Sequence, residues 1–356
     1  LIEEGFKTLQ SFDTLIELKL VKYNEGRLGA LLNNENIVDL NFAYADYLKT
    51  NGEVNVETKA DAKVPSCLLA FIKEGDAGIS EAKKALNHVQ KGNNSGLDGK
   101  KLVYTKEEYK LRAPLPSQGT KIAMAGANFY DHSRDAYKML RGDTTTIEEL
   151  KAQVERGEYR TWGFWKQSSL VIDPYGETPY PDKTQRLDYE VELAAIIGKY
   201  AKDTKEKNGM NYIYGYTILN DLSIRDLSTG GGPDGFFLAK NFDGSAPMGP
   251  CIVTKDEIPD PYKLGMKQWV NDELRQNGNM SSIIRGYEWW LEWLSKDVPF
   301  YPGDIICGGT CSGTAMDQTP RINGKTDPKL FLKPGDKLTA WIEGIGTLRS
   351  KIVPKQ

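Results

Sequence analysis

The stretch LDYEVELAAIIG (187–198) constrains this chain more than any other part of it. On an extended strand successive side chains point to opposite faces. Asp188, Glu190 and Glu192 therefore share one face, and Leu187, Tyr189, Val191 and Leu193 share the other. Adjacent carboxylates repel, and burying an unpaired charge is costly. The AAIIG that follows is apolar on both faces, the pattern of a strand covered on both sides. If the strand is buried, something cationic must sit against the acids, either a divalent metal or Lys and Arg partners. A solvated acidic face on an edge strand is the competing reading of the same alternation.

Histidine narrows the choice. The 356 residues hold two, His88 and His132. A zinc centre built on several imidazoles is excluded, and Cys67, Cys251, Cys307 and Cys311 lack paired zinc-site spacings. A metal here must be held mostly by oxygen, which favours Mg, Mn or Ca. The scattered cysteines read as reduced thiols, and LIEEGFKTLQ shows no apolar leader, so a cytoplasmic location is expected. A net charge of −3 offers no attraction to nucleic acid or a membrane surface. No apolar run approaches the roughly 20 residues of a membrane helix.

Along the chain, LIELKLVKY, RLGALL and NENIVDL read as short strands joined by turns at Asn24-Glu25-Gly26 and Asn33-Asn34. Residues 68–90 read as helix broken near Gly75–Gly78. Pro114 and Pro116 stiffen a linker, and a boundary is expected there, with residues 1–113 forming an N-terminal domain and 114–356 the larger one. In TTTIEELKAQVERG the spacing of Thr146 and Glu149 predicts a capped helix ended by Gly157. GGGPDG (230–235) reads as a mobile loop, YEWWLEWLSK as a helix, and FLKPGDKLTAWIEGIGTLRSKIV as a terminal hairpin. The class is α+β, mainly β.

Other segments carry candidate chemistry. The apolar strand YTILND ends on Asp221, which either adds an acid to a site on a neighbouring strand or caps a short helix. His132 and Asp135 are three residues apart, which brings them together on a helical turn, and a carboxylate that fixes an imidazole tautomer makes a general base. A surface histidine in a polar turn is the plainer alternative. His88, in KKALNHVQ, reads as a solvated helix residue. Lys240 follows the apolar FFLA and is a candidate stabiliser of an anion, though such lysines are usually solvent-exposed. CGGTCSGT (307–314) offers backbone N–H groups to an anion, without phosphate-loop spacing. Cys307 and Cys311 read as packing residues. Trp289, Trp290 and Trp293 read as helix core or an oligomer contact.

These pieces occur together and in order. The segments KLVKYNEGRLGALLNNENIVDL, KIAMAGANFYDH, FWKQSSLVI, RLDYEVELAAIIGK, YGYTILNDLSIRD, PMGPCIV, YPGDIICGGTCSG and FLKPGDKLTAWIEGIGTL resemble the blocks of the fumarylacetoacetate hydrolase family, across nearly all of the chain past residue 15. The resemblance implies a catalytic domain with a rolled, mainly β core, a small N-terminal α/β domain, and a homodimer. It also implies that Glu190, Glu192 and Asp221 hold a divalent cation, Mg first, with Asp188 a neighbour rather than a ligand. His132 matches the histidine that activates water, with Asp135 where many members carry Glu as its partner. Lys240 and Arg225 match cations on the substrate side, and Thr310 matches the Gly-Thr loop that receives a carboxylate or carbonyl oxygen. Asn128 and Ser228 complete the expected substrate contacts, and Lys166 is given a supporting place behind the ligands.

Three departures from the family pattern bear on the substrate. Ser228 stands where Gln is common, Phe129 where Tyr is common, and segment 137–161 is longer than expected and reads as a lid. The activity implied first is hydrolysis of a C–C bond in a 1,3-diketo acid such as an acylpyruvate, with water activated by His132. Dehydration, decarboxylation or isomerisation of a 2-oxo acid, such as a 2-keto-3-deoxy sugar acid, is the alternative. A metal-binding protein without catalysis is the third reading.

Overall fold

A computed structural model describes residues 17–33, 35–116, 119–182, 184–228, 235–319, 321–322, 325–326 and 328–355. The readings made on LIEEGFKTLQ, on Asn34 and on residues 230–234 of the glycine-rich loop lie outside the described residues. Among these, no helix is long and apolar enough to cross a membrane.

The first strands follow the alternation. β1 (Lys19–Tyr23), β2 (Arg27–Leu32) and β3 (Asn36–Asp39) form an antiparallel meander. Its first turn places Asn24 at φ 47° and Gly26 at φ 93°, which these residue types adopt at low steric cost. Asp39 caps α1 (Leu40–Thr50) by accepting the N–H of Phe42. After α2 (Val56–Lys63), α3 (Leu68–Gln90) is interrupted at Gly75, whose φ of 59° and ψ of −143° suit glycine alone. β4 (Val103–Tyr104) and β5 (Leu111–Arg112) lead to β6 (Ile122–Gly126), a buried strand. Then come α4 (Tyr130–Arg141), α5 (Ile147–Glu155), which Thr146 caps through the N–H of Glu149, and β7 (Trp162–Lys166), antiparallel to β6.

The rest is mostly strand. β8 (Val171–Ile172), β9 (Glu177–Pro179), β10 (Leu187–Asp188), β11 (Val191–Ile197), β12 (Ile213–Asn220) and β13 (Ser223–Ile224) precede the short helices α6 (Arg225–Ser228) and α7 (Gly235–Ala239). β14 (Ala246–Thr254), β15 (Gly265–Val270), β16 (Glu273–Asn279), α8 (Tyr287–Ser295), β17 (Ile305–Thr310) and α9 (Ala315–Gln318) follow. The chain closes with β18 (Arg321–Ile322), β19 (Lys325–Thr326) and the expected hairpin of β20 (Lys337–Ile342) and β21 (Gly346–Val353). The α+β, mainly-β class holds.

One large sheet runs β4-β3-β2-β1-β14-β12-β11-β17-β6-β7, and a second runs β16-β15-β20-β21-β9. The large sheet crosses residue 114 without a break, because Lys19 and Leu20 of β1 pair with Val253 and Ile252 of β14. Every residue of β11 and β12 is buried. Glu192 lies on β11, Glu190 just before it and Asp221 just after β12.

A candidate metal centre

LDYEVELA is not one continuous strand. β10 ends at Asp188 and pairs with β13, while β11 begins at Val191 and pairs with β12 and β17. Between them, Asp188 is drawn aside: its carboxylate accepts the N–H groups of Ala315 (2.7 Å) and Met316 (3.0 Å) and ion-pairs with Nε of Arg225 at 2.9 Å. Asp188 is therefore a neighbour of the site and not part of it.

The β11–β12 register places Val191 opposite Asn220, so the acids of one strand meet the end of the other. The N–H of Asp221 donates to the Glu190 carbonyl at 2.8 Å, and the Asn220 amide accepts the N–H of Glu190 at 3.0 Å. Carboxylate oxygens of Glu190, Glu192 and Asp221 lie within 4.8 Å of one another, and all three side chains are buried. The solvated edge strand is thus excluded.

Of the two cationic solutions foreseen for the acids, Lys and Arg partners are present. Lys240 Nζ reaches Glu190 Oε2 at 2.5 Å, Asp221 Oδ2 at 2.7 Å and Ser223 Oγ at 2.5 Å. A guanidinium N–H of Arg225 donates to Glu190 Oε1. Lys166, buried behind them, pairs with Asp221 Oδ1 at 2.7 Å and donates to the Lys240 carbonyl at 2.5 Å. Four buried acids (Asp188, Glu190, Glu192, Asp221) thus face three buried cations (Lys166, Arg225, Lys240).

The excess falls on Glu192. It accepts the N–H of Gly309 at 2.9 Å and has no ion-pair partner among the described residues. Burial, then repulsion from Asp221 and Glu190, raises its carboxyl well above the usual range. Burial acts on Glu190 the same way, but Arg225 and Lys240 outweigh it and hold that carboxyl below the usual range. A divalent cation fits this donor set: all three donors are hard oxygens, and a bound cation would compensate the charge that Glu192 lacks.

His132 lies in the first turn of α4 and lines the same cavity. Its partner is not Asp135 but Asp317, at 2.8 Å from Nδ1. The spacing argument failed because Asp135 has closer company, the guanidinium of Arg134 (2.6 and 2.9 Å) and the hydroxyl of Ser312 (2.5 Å). Asp317 is fixed by a capping box with Thr314 and also accepts the N–H of Gly313 at 3.1 Å. Burial lowers the His132 pKa, but the Asp317 charge and hydrogen bond outweigh it, and the net shift is upward. Nε2 has no hydrogen-bond partner among the described residues.

The remaining expected residues divide. Arg225, Lys240 and Thr310 line the cavity; the Thr310 hydroxyl donates to the Val191 carbonyl at 2.8 Å. Asn128 does not line it. Its amide donates to the carbonyls of Arg285 and Gly308 and accepts the N–H of Arg285, so it is spent on holding backbone. Ser228 ends α6, and its side chain lies outside the described residues. Phe129 is fully buried in the core, so its missing hydroxyl removes nothing from the cavity. The glycine-rich loop does cradle anions, but they are the protein's own: Glu192 on Gly309, Asp131 on Ser312, and Asp317 on Gly313 and Thr314. Cys307 and Cys311 are buried packing residues. Of the tryptophans in α8, Trp290 is core and Trp293 is exposed. His88 is not solvated; it is buried and bonded to Asp46.

The cavity has a volume of about 330 Å³. Glu190, Glu192, Asp221, Lys240, Arg225 and His132 line its polar part, and Trp162, Phe164, Phe236 and Tyr137 supply its aromatic rings. Sequence reading missed Asp317, Ser223, Trp162 and Phe236. Thr314-x-x-Asp317 carried a visible capping spacing, but nothing in the sequence placed it beside His132.

Comparisons with known proteins identify the family of the chain. The model of the fumarylacetoacetate (FAA) hydrolase C-terminal domain matches residues 121–353. Oxaloacetate tautomerase YisK of Bacillus subtilis (strain 168) is 31% identical over 332 residues, 93% of this chain and 97% of that protein. A mitochondrial oxaloacetate tautomerase of Homo sapiens is 30% identical over 293 residues, 82% of each chain. Among solved structures, the fumarylacetoacetate hydrolase of the psychrophilic Exiguobacterium antarcticum is 26% identical, covers 95% of this chain and 100% of its own, and superposes with a TM-score of 0.67.

Proposed function

The chain belongs to the fumarylacetoacetate hydrolase family, and from that premise we propose that it is a divalent-metal-dependent enzyme that interconverts the enol and keto forms of a 2-oxo acid. The observation that carries this is the meeting, in one cavity, of three buried carboxylates, one of them without an ion-pair partner among the described residues, and an imidazole oriented through Nδ1 by a buried carboxylate.

Glu190, Glu192 and Asp221 would hold the cation, with Mg the first choice. When bound, it supplies Lewis-acid polarisation of the 2-oxo carbonyl. The protein's own groups do the rest. Arg225 and Lys240 bring positive charge from buried positions to where the enolate forms. Lys166 fixes Asp221 and the Lys240 backbone from behind. The enol gives up its O–H proton to solvent, and His132 delivers a proton from Nε2 to C3. Asp317 keeps the ring oriented through Nδ1, and solvent returns the proton. The names of the bacterial and human relatives support the tautomerase reading. The inserted segment 137–161 is assigned the role of lid. Tyr159 within it donates to the Ala127 carbonyl at 2.5 Å, tying it to the connection that leads into α4 and His132. A homodimer belongs to the same proposal.

Hydrolysis of an acylpyruvate is the second reading, favoured by the His132–Asp317 pair. Neutral His132 would take a proton from water, hydroxide would add to the distal carbonyl, and the broken C–C bond would leave an enolate to be protonated. The pH dependence separates the two: tautomerisation in the enol-to-keto direction needs His132 protonated and fails as pH rises, whereas hydrolysis needs it neutral and fails as pH falls. Glu190→Gln and Glu192→Gln should each weaken Mn or Mg binding by at least about tenfold in calorimetry. Unchanged affinity would remove the metal centre, and a metal-loaded protein that turns over neither substrate class would leave only a binder.

A further inference from the structure

We infer that the aromatic part of this cavity selects a 2-oxo acid with a flat apolar tail over a short dicarboxylic one. The inference rests on the reading of the polar part as a 2-oxo acid site and names the substrate class for it.

Trp162 opens β7 and pairs with Gly126 at the end of β6. A methyl group at position 126 would come within 2.3 Å of the indole. The bare backbone of Gly126 is what lets the indole lie across it. Phe236 packs on Trp162 with ring centroids 4.8 Å apart, and on Phe164 at 5.7 Å in a stacked arrangement. All three rings line the cavity and are only partly buried, so a planar apolar group can add to the stack. Lys240 Nζ lies 5.4 Å from the centre of the Phe164 ring and marks the seam between the two parts.

A second carboxylate would fare badly at the aromatic end. The lysine and arginine side chains that line the cavity are Lys240 and Arg225, and both are drawn to carboxylates in the polar part. A carboxylate among the rings would lose its water without gaining a cation. An aryl or unsaturated tail loses nothing there.

Phenylpyruvate and oxaloacetate test this, since both are enolisable 2-oxo acids and differ at the far end. Binding of each to the Mg-loaded protein would be measured by calorimetry, and enol-to-keto conversion of each by ultraviolet absorbance. Phenylpyruvate should be preferred by at least about tenfold in both. Trp162→Ala, Phe236→Ala and Gly126→Ala should each reduce that preference ratio severalfold or more, and Trp162→Phe should largely keep it, in variants whose melting temperatures show an intact fold. A preference for oxaloacetate, or a ratio that none of the variants moves, would overturn the inference. If neither acid is converted, the tautomerase reading fails, and the binding ratio alone decides this one.

Discussion

The protein contains two histidine–aspartate pairs with a buried imidazole, and they differ instructively. His132 Nδ1 meets Asp317 at 2.8 Å, and His88 Nε2 meets Asp46 at 2.8 Å. Exposure of the imidazole does not separate them, at 6% and 7%, although Asp46 is more exposed than Asp317. Their surroundings do. His88 bridges α1 and α3, with its other ring nitrogen beside the Asn93 amide and the edge of the Tyr47 ring against it. Both nitrogens are occupied, and His88 does not line the cavity that holds His132. His132 keeps Nε2 without a partner on the wall that also carries Glu190, Glu192 and Asp221. A carboxylate beside a histidine orients the ring wherever it occurs; chemistry needs the second nitrogen to face a place where a reactant can sit.

The largest effect should come from removing each imidazole in turn. His132→Asn should lower kcat/KM by about 10²–10⁴, the range for a lost general acid or base, with a modest change in melting temperature. His88→Asn should leave kcat/KM within about twofold and cost about 1–3 kcal/mol of stability, because Asp46 loses its buried partner. Steady-state kinetics and urea unfolding on both variants decide the matter. Comparable kinetic losses would break the comparison.

Removing the carboxylates sharpens it. Asp317→Asn should cost about 10–100-fold in kcat/KM, by analogy with other groups that orient a reacting residue, and should move the pH profile. Asp317 is what raises the His132 pKa against the pull of burial, so its loss should shift the His132-dependent limb to lower pH. Asp46→Asn should move neither. A profile that stays in place in Asp317→Asn would mean that Asp317 only packs.

Stability should carry the same signature more weakly. A histidine whose folded pKa lies above its unfolded value stabilises the fold fully below the unfolded value, near 6.5 here, and that stabilisation is lost as pH rises through the folded pKa. The difference in unfolding free energy between wild type and His132→Asn should therefore be largest below about pH 6.5 and shrink as pH rises. A difference that grows with pH would reverse the assigned direction of the shift.

How much of this was legible depended on whether the information was local. The hairpins of β1–β3, the break at Gly75 and the cap at Thr146 follow from alternation, glycine and capping chemistry over a few residues, and all were readable. The acid pattern was readable as a pattern, but not the break after Asp188. That break comes from the N–H groups of Ala315 and Met316, more than 120 residues away. Likewise Asp317 reaches His132 across 185 residues, and no spacing rule spans that. Lys166 was given its supporting place by its family block alone, because a lysine after Phe164 and Trp165 gives no sign of burial by itself. Asn128 was overvalued for the converse reason: its side chain is consumed by backbone that the sequence places far off.

The smallest effect tests the partner that the sequence favoured. Asp135 is paired with Arg134, whose side chain is 39% exposed, and such partly exposed pairs contribute about 0–1 kcal/mol. Asp135→Asn keeps the size of the side chain and an acceptor for the Ser312 hydroxyl. It should therefore change unfolding free energy by less than about 1 kcal/mol and kcat/KM by less than about threefold, far below the effect of Asp317→Asn. The two aspartates lie on opposite sides of the same question, since His132 can be served by one carboxylate at Nδ1 at a time. If Asp135→Asn instead matched Asp317→Asn in kinetics while leaving stability intact, the helix carrying His132 would have to turn during the cycle and exchange one acid for the other. The three-residue spacing would then describe the working state, and the Asp317 pair the resting one.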